Sequence, residues 1–185
     1  NFTTGAVTTT LSNGTLDLNG KTVTLALFSS SNSNARTLTM GAANLTFNNT
    51  AGWSTSTNTN FTLNAGTSTI TCLASTSFST GASGGTGLTF NNVIMPGGSV
   101  TLGSSNTFNN LTLTGAAVKT DGLTLTAGTT QTVTGTLTLN GNSVINRLFI
   151  RSGTPGTAAT LNAAAVTVTN ADFMDITGAG AGNWN

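Results

Sequence analysis

The sequence predicts an all-β chain wound into an irregular parallel β-solenoid, a β-helix of short stacked coils. Three observations carry that reading. Apolar–Thr–apolar triplets recur through residues 88–139: Leu88 and Phe90, Val100 and Leu102, Leu111 and Leu113, Leu123 and Leu125, and Leu137 and Leu139 each bracket a Thr. Such alternation turns one side chain inward and the next outward, as in a strand with one buried face. The first four triplets begin at 88, 100, 111 and 123, which leaves little room for a helix between strands. Asn, Gly, Ser and Thr fill the gaps, and the first three of these favour turns.

Taken in order, Leu16-Asp17-Leu18 and Val23-Thr24-Leu25-Ala26-Leu27 flank Asn19-Gly20-Lys21, a strong turn signal. Residues 29–34 read as a polar loop ending at Arg36. Strands follow at Thr37-Leu38-Thr39-Met40 and Leu45-Thr46-Phe47-Asn48. Residues 52–60 read as a Ser/Thr/Asn loop carrying Trp53. Strands resume at Phe61-Thr62-Leu63 and Thr69-Ile70-Thr71-Cys72-Leu73, and residues 75–86 read as a second loop, holding Phe78. Beyond the triplets come a turn at Met95-Pro96-Gly97-Gly98, a strand within 144–150, and a turn at Gly153-Thr154-Pro155-Gly156. Val166-Thr167-Val168, residues 173–176 and a Gly/Ala-rich tail to Trp184 complete the chain.

Internal echoes point to repetition. Thr-Phe-Asn-Asn occurs at 46–49, 89–92 and 107–110. Leu63-Asn64-Ala65-Gly66-Thr67 resembles Leu125-Thr126-Ala127-Gly128-Thr129, and Leu18-Asn19-Gly20 resembles Leu139-Asn140-Gly141. The offset of 62 between 63 and 125 fits three coils of roughly 20 residues, within the range of solenoid repeats. A β-sandwich is the alternative, since it accepts strands at similar spacing. A single coil buries too few apolar groups to offset its ordering entropy, so neighbours about 4.8 Å above and below must supply the contacts. Outward Thr suits strands, and Asn repeated at the corners is expected to stack into amide ladders.

Composition narrows the function. Charged residues make up 5% of the 185, against roughly 25% in ordinary domains, while 37% are hydrophobic. Low charge with ordinary apolar content is the opposite of a disordered composition. The net charge of +1 and the absence of a basic run give a nucleic-acid partner no electrostatic footprint. No apolar run approaches the roughly 18 residues of a membrane span. Cys72 is the single cysteine, so neither an intrachain disulfide nor a Cys metal cluster is expected. The chain opens at Asn1 rather than Met, so residues 1–185 are expected to be one solenoid segment of a longer chain.

The catalytic inventory is thin. The sequence has no His, Tyr or Glu, so the abundant Ser and Thr lack an ordinary base. Asp17, Asp121, Asp172 and Asp175 are the only carboxylates. Asp172 and Asp175, three apart, point to opposite faces of a strand and would cooperate only across a turn. No catalytic residue, metal ligand or cofactor is assigned, and turn or capping duty is expected of the four Asp. In Arg147-Leu148-Phe149-Ile150-Arg151, Arg147, Phe149 and Arg151 share one face, a contact surface for an anionic sugar or a partner chain. Packing of Phe149 under a loop is the competing reading. Trp53 is a further candidate for ligand contact, weighed against a role as a loop-anchoring plug. The Gly-rich stretch 81–87 lacks the Lys and the following helix of a phosphate loop, and reads as a flexible turn.

Asn64-Ala65-Gly66-Thr67-Ser68-Thr69-Ile70, Gly87-Leu88-Thr89-Phe90-Asn91-Asn92-Val93 and Ser105-Asn106-Thr107-Phe108-Asn109-Asn110-Leu111 resemble the Thr/Asn/Gly-rich repeats of bacteriophage tail and fibre proteins. Related repeats occur in bacterial adhesin-like surface proteins. Leu125-Thr126-Ala127-Gly128-Thr129-Thr130-Gln131-Thr132-Val133 and Asn170-Ala171-Asp172-Phe173-Met174-Asp175-Ile176 are similar to the same group. The resemblance implies a non-enzymatic structural part of a virus particle, such as a tail fibre, external appendage or decoration protein. A cell-surface adhesin or glycan-binding segment is the alternative, and a polysaccharide depolymerase ranks third. The partners implied are other virion subunits, further copies of the chain, and a host-surface glycan. The implied location is the virion surface, or else the cell surface.

Overall fold

A computed structural model describes residues 2–3, 7–73, 77–81, 86–118 and 121–184. All strand pairings are parallel, and no helix occurs among the described residues. Parallel pairing throughout excludes the sandwich and leaves the solenoid. Its winding has three faces. Strands Thr8–Thr10, Leu27–Ser29, Ala51–Thr55, Ser77–Thr80, Val100–Leu102, Asp121–Leu125, Leu148–Ser152 and Ala171–Met174 form an eight-stranded sheet. One strand per turn of the chain gives eight coils.

The other two faces begin separately and then merge. In the first three coils, Gly14–Asp17, Arg36–Thr39 and Phe61–Asn64 form a three-stranded sheet. Phe2–Thr3, Thr22–Leu25, Asn44–Phe47 and Thr69–Cys72 open the nine-stranded sheet. From the fourth coil the corner straightens into single long strands, Thr86–Pro96, Ser105–Thr114, Thr130–Asn140 and Ala159–Thr169, and Ile176–Ala179 completes this sheet. A register shift between Phe108 and Leu111 and another between Val133 and Thr136 mark where the corner was, whereas the shift in the first long pairing falls near the strand's start, between Thr86 and Thr89. The extra residue at such a bulge bends the strand without ending it.

Asn19-Gly20 turns the chain as its sequence dictates, with φ of 47° and 64° and Lys21 N–H donating to Leu18 C=O at 2.9 Å. Its flanking strands do not pair with each other. Gly14–Asp17 joins Arg36–Thr39, and Thr22–Leu25 joins Asn44–Phe47, so the turn is a coil corner rather than a hairpin.

Inward columns run the length of the rod. Val23, Leu45, Ile70, Val93, Leu111, Leu137 and Val166 stack in register. All six triplet leucines from Leu111 to Leu139 are buried, as the alternation predicts. One hydrophobic cluster extends from Leu11 to Ala163. Along this column the coil length runs from 18 residues between Val93 and Leu111 to 29 between Leu137 and Val166, and the corner loops absorb the difference. In the last coil the columns run out of cover: Val168 and Phe173 are 37% and 42% exposed, with Trp184 edge-on to Phe173.

Candidate functional site

Trp53 is not at the surface. It lies in strand Ala51–Thr55, 1% exposed, between Phe28 of the coil before and Phe78 of the coil after. Ring centroids are 4.8 Å and 5.7 Å away, and Phe90 meets it edge-on at 5.4 Å. The indole N–H donates to Thr55 Oγ1 at 2.9 Å. Stacking identical-height rings through successive coils excludes water and adds about 0.5–1.5 kcal/mol per pair beyond area burial. Phe78, in strand Ser77–Thr80, is likewise fully buried. The expected loops at 52–60 and 75–86 are therefore shorter, each giving up a strand. Residues 75–76 and 82–85 lie outside the described residues.

Strand Leu148–Ser152 alternates as expected, with Leu148 and Ile150 buried and Phe149 and Arg151 half-buried on the outer side. Arg147 precedes it and reaches into the next coil. Its Nε donates to Asp172 Oδ2 at 2.7 Å and one Nη to Asp172 Oδ1 at 2.8 Å, a bidentate fork. The same Nη donates to Ala171 C=O at 2.8 Å. The hydrogen bond from Arg147 holds the Asp172 carboxyl below the usual carboxylate range, with the guanidinium charge adding and desolvation opposing. The reciprocal bond raises Arg147. Asp172 is the in-register neighbour of Phe149. Arg151 aligns with Thr124 and Met174 and makes no ion pair among the described residues.

Two of the remaining carboxylates hold turns. Asp17 accepts from Asn19 N–H at 2.7 Å. Asp175, at a left-handed φ of 55°, accepts from Gly156 N–H at 2.9 Å. The Asp121 side chain lies outside the described residues. Asp172 and Asp175 are thus engaged by different partners in adjoining turns. Comparison with known proteins finds no matching family model, no similar curated protein and no similar solved structure.

Two groups of buried polar side chains escaped the sequence reading. Arg36 is 2% exposed, with Nη1 donating to Ser30 C=O at 2.9 Å and Nη2 to Thr59 C=O at 2.7 Å. Its guanidinium lies 5.4 Å from the Phe61 ring centroid, and burial lowers its pKa. Alternation with Leu38 was the available signal. Asn106 and Gln131 form the second group: Asn106 Oδ1 accepts from Thr80 Oγ1 at 2.6 Å and Leu88 N–H at 3.1 Å, while Asn106 Nδ2 donates to Gln131 Oε1 at 3.1 Å. Gln131 Nε2 donates to Ser104 C=O at 2.6 Å. Among the described residues no three His, Cys, Asp or Glu side chains gather, and no helix is long and apolar enough to cross a membrane.

Proposed function

We propose that this chain is a non-enzymatic structural rod in an external appendage of a virus particle, a tail fibre or decoration, set among other virion subunits or further copies of itself. The observation that supports the reading is the apolar cluster continuous from Leu11 to Ala163 beneath an outer surface of Thr, Asn and Ser. Such a core stiffens a rod along its whole length, and each coil depends on its neighbours. A polypeptide with four carboxylates and no His, Glu or Tyr fits a spacer better than a hydrolase.

Gold-labelled antibody to residues 1–185, applied to particles and cells from the culture that encodes the chain, is expected to mark particle appendages in the electron microscope. Labelling confined to cell envelopes would overturn the particle assignment in favour of a surface adhesin. Incubation with bacterial surface polysaccharide is expected to release no reducing ends. Release that disappears in Asp172→Asn or Asp175→Asn would overturn the non-enzymatic reading.

A further inference from the structure

Three Asn-Gly pairs occur in the chain, Asn13-Gly14, Asn19-Gly20 and Asn140-Gly141, and the fold treats them differently. Such a pair carries its own reagents. Once the glycine nitrogen loses its proton it can attack the asparagine Cγ, because glycine has no side chain to crowd the approach. A folded chain permits this under two conditions. The glycine N–H must be free of an acceptor, since a hydrogen-bonded amide gives up its proton only when the bond opens. The peptide unit between the two residues must also be free to rotate.

Asn140-Gly141 fails both. Gly141 is buried and its N–H donates to Thr169 C=O at 2.8 Å, while Asn140 C=O accepts from Gly115 N–H at 2.7 Å. Coils on both sides clamp that peptide unit. Asn13-Gly14 is exposed, but Gly14 opens strand Gly14–Asp17. Its N–H donates to Ala35 C=O of the next coil at 3.0 Å and to Asn13 Oδ1 at 2.8 Å. Exposure alone does not separate this pair from Asn19-Gly20; the ladder does.

Asn19-Gly20 meets both conditions. The two residues are exposed at the corner between strands Gly14–Asp17 and Thr22–Leu25. Among the described residues, neither Asn19 C=O nor Gly20 N–H makes a hydrogen bond, and the Asn19 carboxamide has no partner. The turn is held on its flanks instead. Asn19 N–H donates to Asp17 Oδ1 at 2.7 Å, and Lys21 N–H closes onto Leu18 C=O at 2.9 Å. The next coil leaves room, for a Cβ on Gly20 would meet Ala42 no closer than 3.7 Å. The peptide unit between Asn19 and Gly20 therefore has no hydrogen bond of its own to break when it rotates.

We infer that Asn19 is a self-modifying site, converted without an enzyme to aspartate and isoaspartate. The deprotonated Gly20 nitrogen bonds to Asn19 Cγ, the Cγ–Nδ2 bond breaks, and the amide nitrogen leaves as ammonia with a proton from water. The five-membered succinimide ring then takes up one water at either of its carbonyls. Addition at Cγ breaks the new Cγ–N bond and leaves aspartate in an ordinary backbone. Addition at the main-chain carbonyl breaks the original peptide bond and leaves isoaspartate, with the backbone running through Cβ and Cγ. One water is consumed and one ammonia released, with no change of oxidation state. The product sets a carboxylate two residues from Asp17 and next to Lys21, and takes the formal net charge from +1 to neutral. Isoaspartate also inserts an extra main-chain atom into a corner built on φ of 47° and 64°. The reaction needs only water, so it proceeds wherever the rod is mounted.

The test incubates the dilute 185-residue chain in mildly alkaline buffer, folded and in parallel in concentrated urea. Peptide mass spectrometry with electron-transfer fragmentation follows each Asn-Gly pair over time and tells isoaspartate from aspartate. In urea the three pairs should react at similar rates, because the unfolded chain gives them the same surroundings. In the folded chain Asn19 should stay close to its urea rate. Asn13 and Asn140 should slow by about tenfold or more, since each must first open a ladder hydrogen bond. Both aspartate and isoaspartate should appear at position 19, the signature of a ring intermediate. Equal rates at the three pairs in the folded chain, slowing of Asn19 to the level of the other two, or aspartate at position 19 without isoaspartate would each overturn the inference.

Discussion

Arg36 carries a charge into the interior with no carboxylate opposite it among the described residues, held by two carbonyls and an aromatic face. Those carbonyls belong to the loops before and after it, so the guanidinium pins two adjacent coils at one corner. Arg36→Met keeps the stem and removes the donors, and is expected to destabilise by about 1–3 kcal/mol in urea unfolding. Hydrogen exchange should rise first at residues 30–35 and 56–60. The Arg147–Asp172 fork behaves differently because it is exposed. Asp172 is depressed in the folded chain, so its contribution is full above the ordinary carboxylate pKa and is lost as pH falls through the lower folded value. Melting curves across that acidic window should show a small loss that Asp172→Asn abolishes and that high salt reduces. The sequence showed both arginines, but not that one turned in. Arg36 shares the alternation of Leu38, yet a charge at the end of a polar run reads as loop.

At the level of strands, the apolar triplets were legible and the half-polar strands were not. In Ala51–Thr55 and Ser77–Thr80 the second inward residue is Thr55 or Thr80, fully buried and hydrogen-bonded. Replacing an apolar partner with an inward hydroxyl erased the triplet, so Trp53 and Phe78 looked stranded in loops. Stacked amides were foreseeable from repeated Asn. Nothing in the sequence signalled that the Asn92–Asn110 ladder continues to the Thr136 N–H while the Asn91–Asn109 ladder ends after one rung. The inward Asn106–Gln131 pair left no sequence trace of its own. Asn106→Leu would take the side-chain acceptor from the Leu88 N–H and the Thr80 hydroxyl in the core, and is expected to cost about 2–4 kcal/mol by denaturant titration. Leu125→Asp should cost several kcal/mol and raise exchange in the coils on either side, because Leu102 and Ser152 are its in-register neighbours. A rise confined to residues 121–125 would contradict coil interdependence.

For the whole molecule, the solenoid was readable and its period was not. Leu63 lies in a strand of the three-stranded sheet, whereas Leu125 closes one of the eight-stranded sheet, so their shared motif marks a kind of corner rather than a repeat. Leu18-Asn19-Gly20 likewise follows a strand of the three-stranded sheet, whereas Leu139 and Asn140 end one of the nine-stranded sheet. Of the three Thr-Phe-Asn-Asn copies, the two at 89–92 and 107–110 do stack in register. Loops growing and shrinking at the corners conceal a constant core from any search for fixed spacing. The uncovered Val168 and Phe173 give the last coil an apolar underside, and the near-zero net charge offers little repulsion. Light scattering of residues 1–185 is expected to show concentration-dependent association, reduced by Val168→Thr with Phe173→Asn; a stable monomer at high concentration would count against it.

The in-register parallel ladders also decide how the rod meets a pulling force. Backbone hydrogen bonds between coils point along the axis, so tension applied at the two ends loads the coils in series, and only the outermost coil peels at a given moment. Each peeled coil of 18 to 29 residues frees about 60–100 Å of slack chain. A single molecule stretched end to end should therefore lengthen in a staircase of unequal treads, and a tether made this way would absorb a sudden tug by giving up one coil instead of snapping.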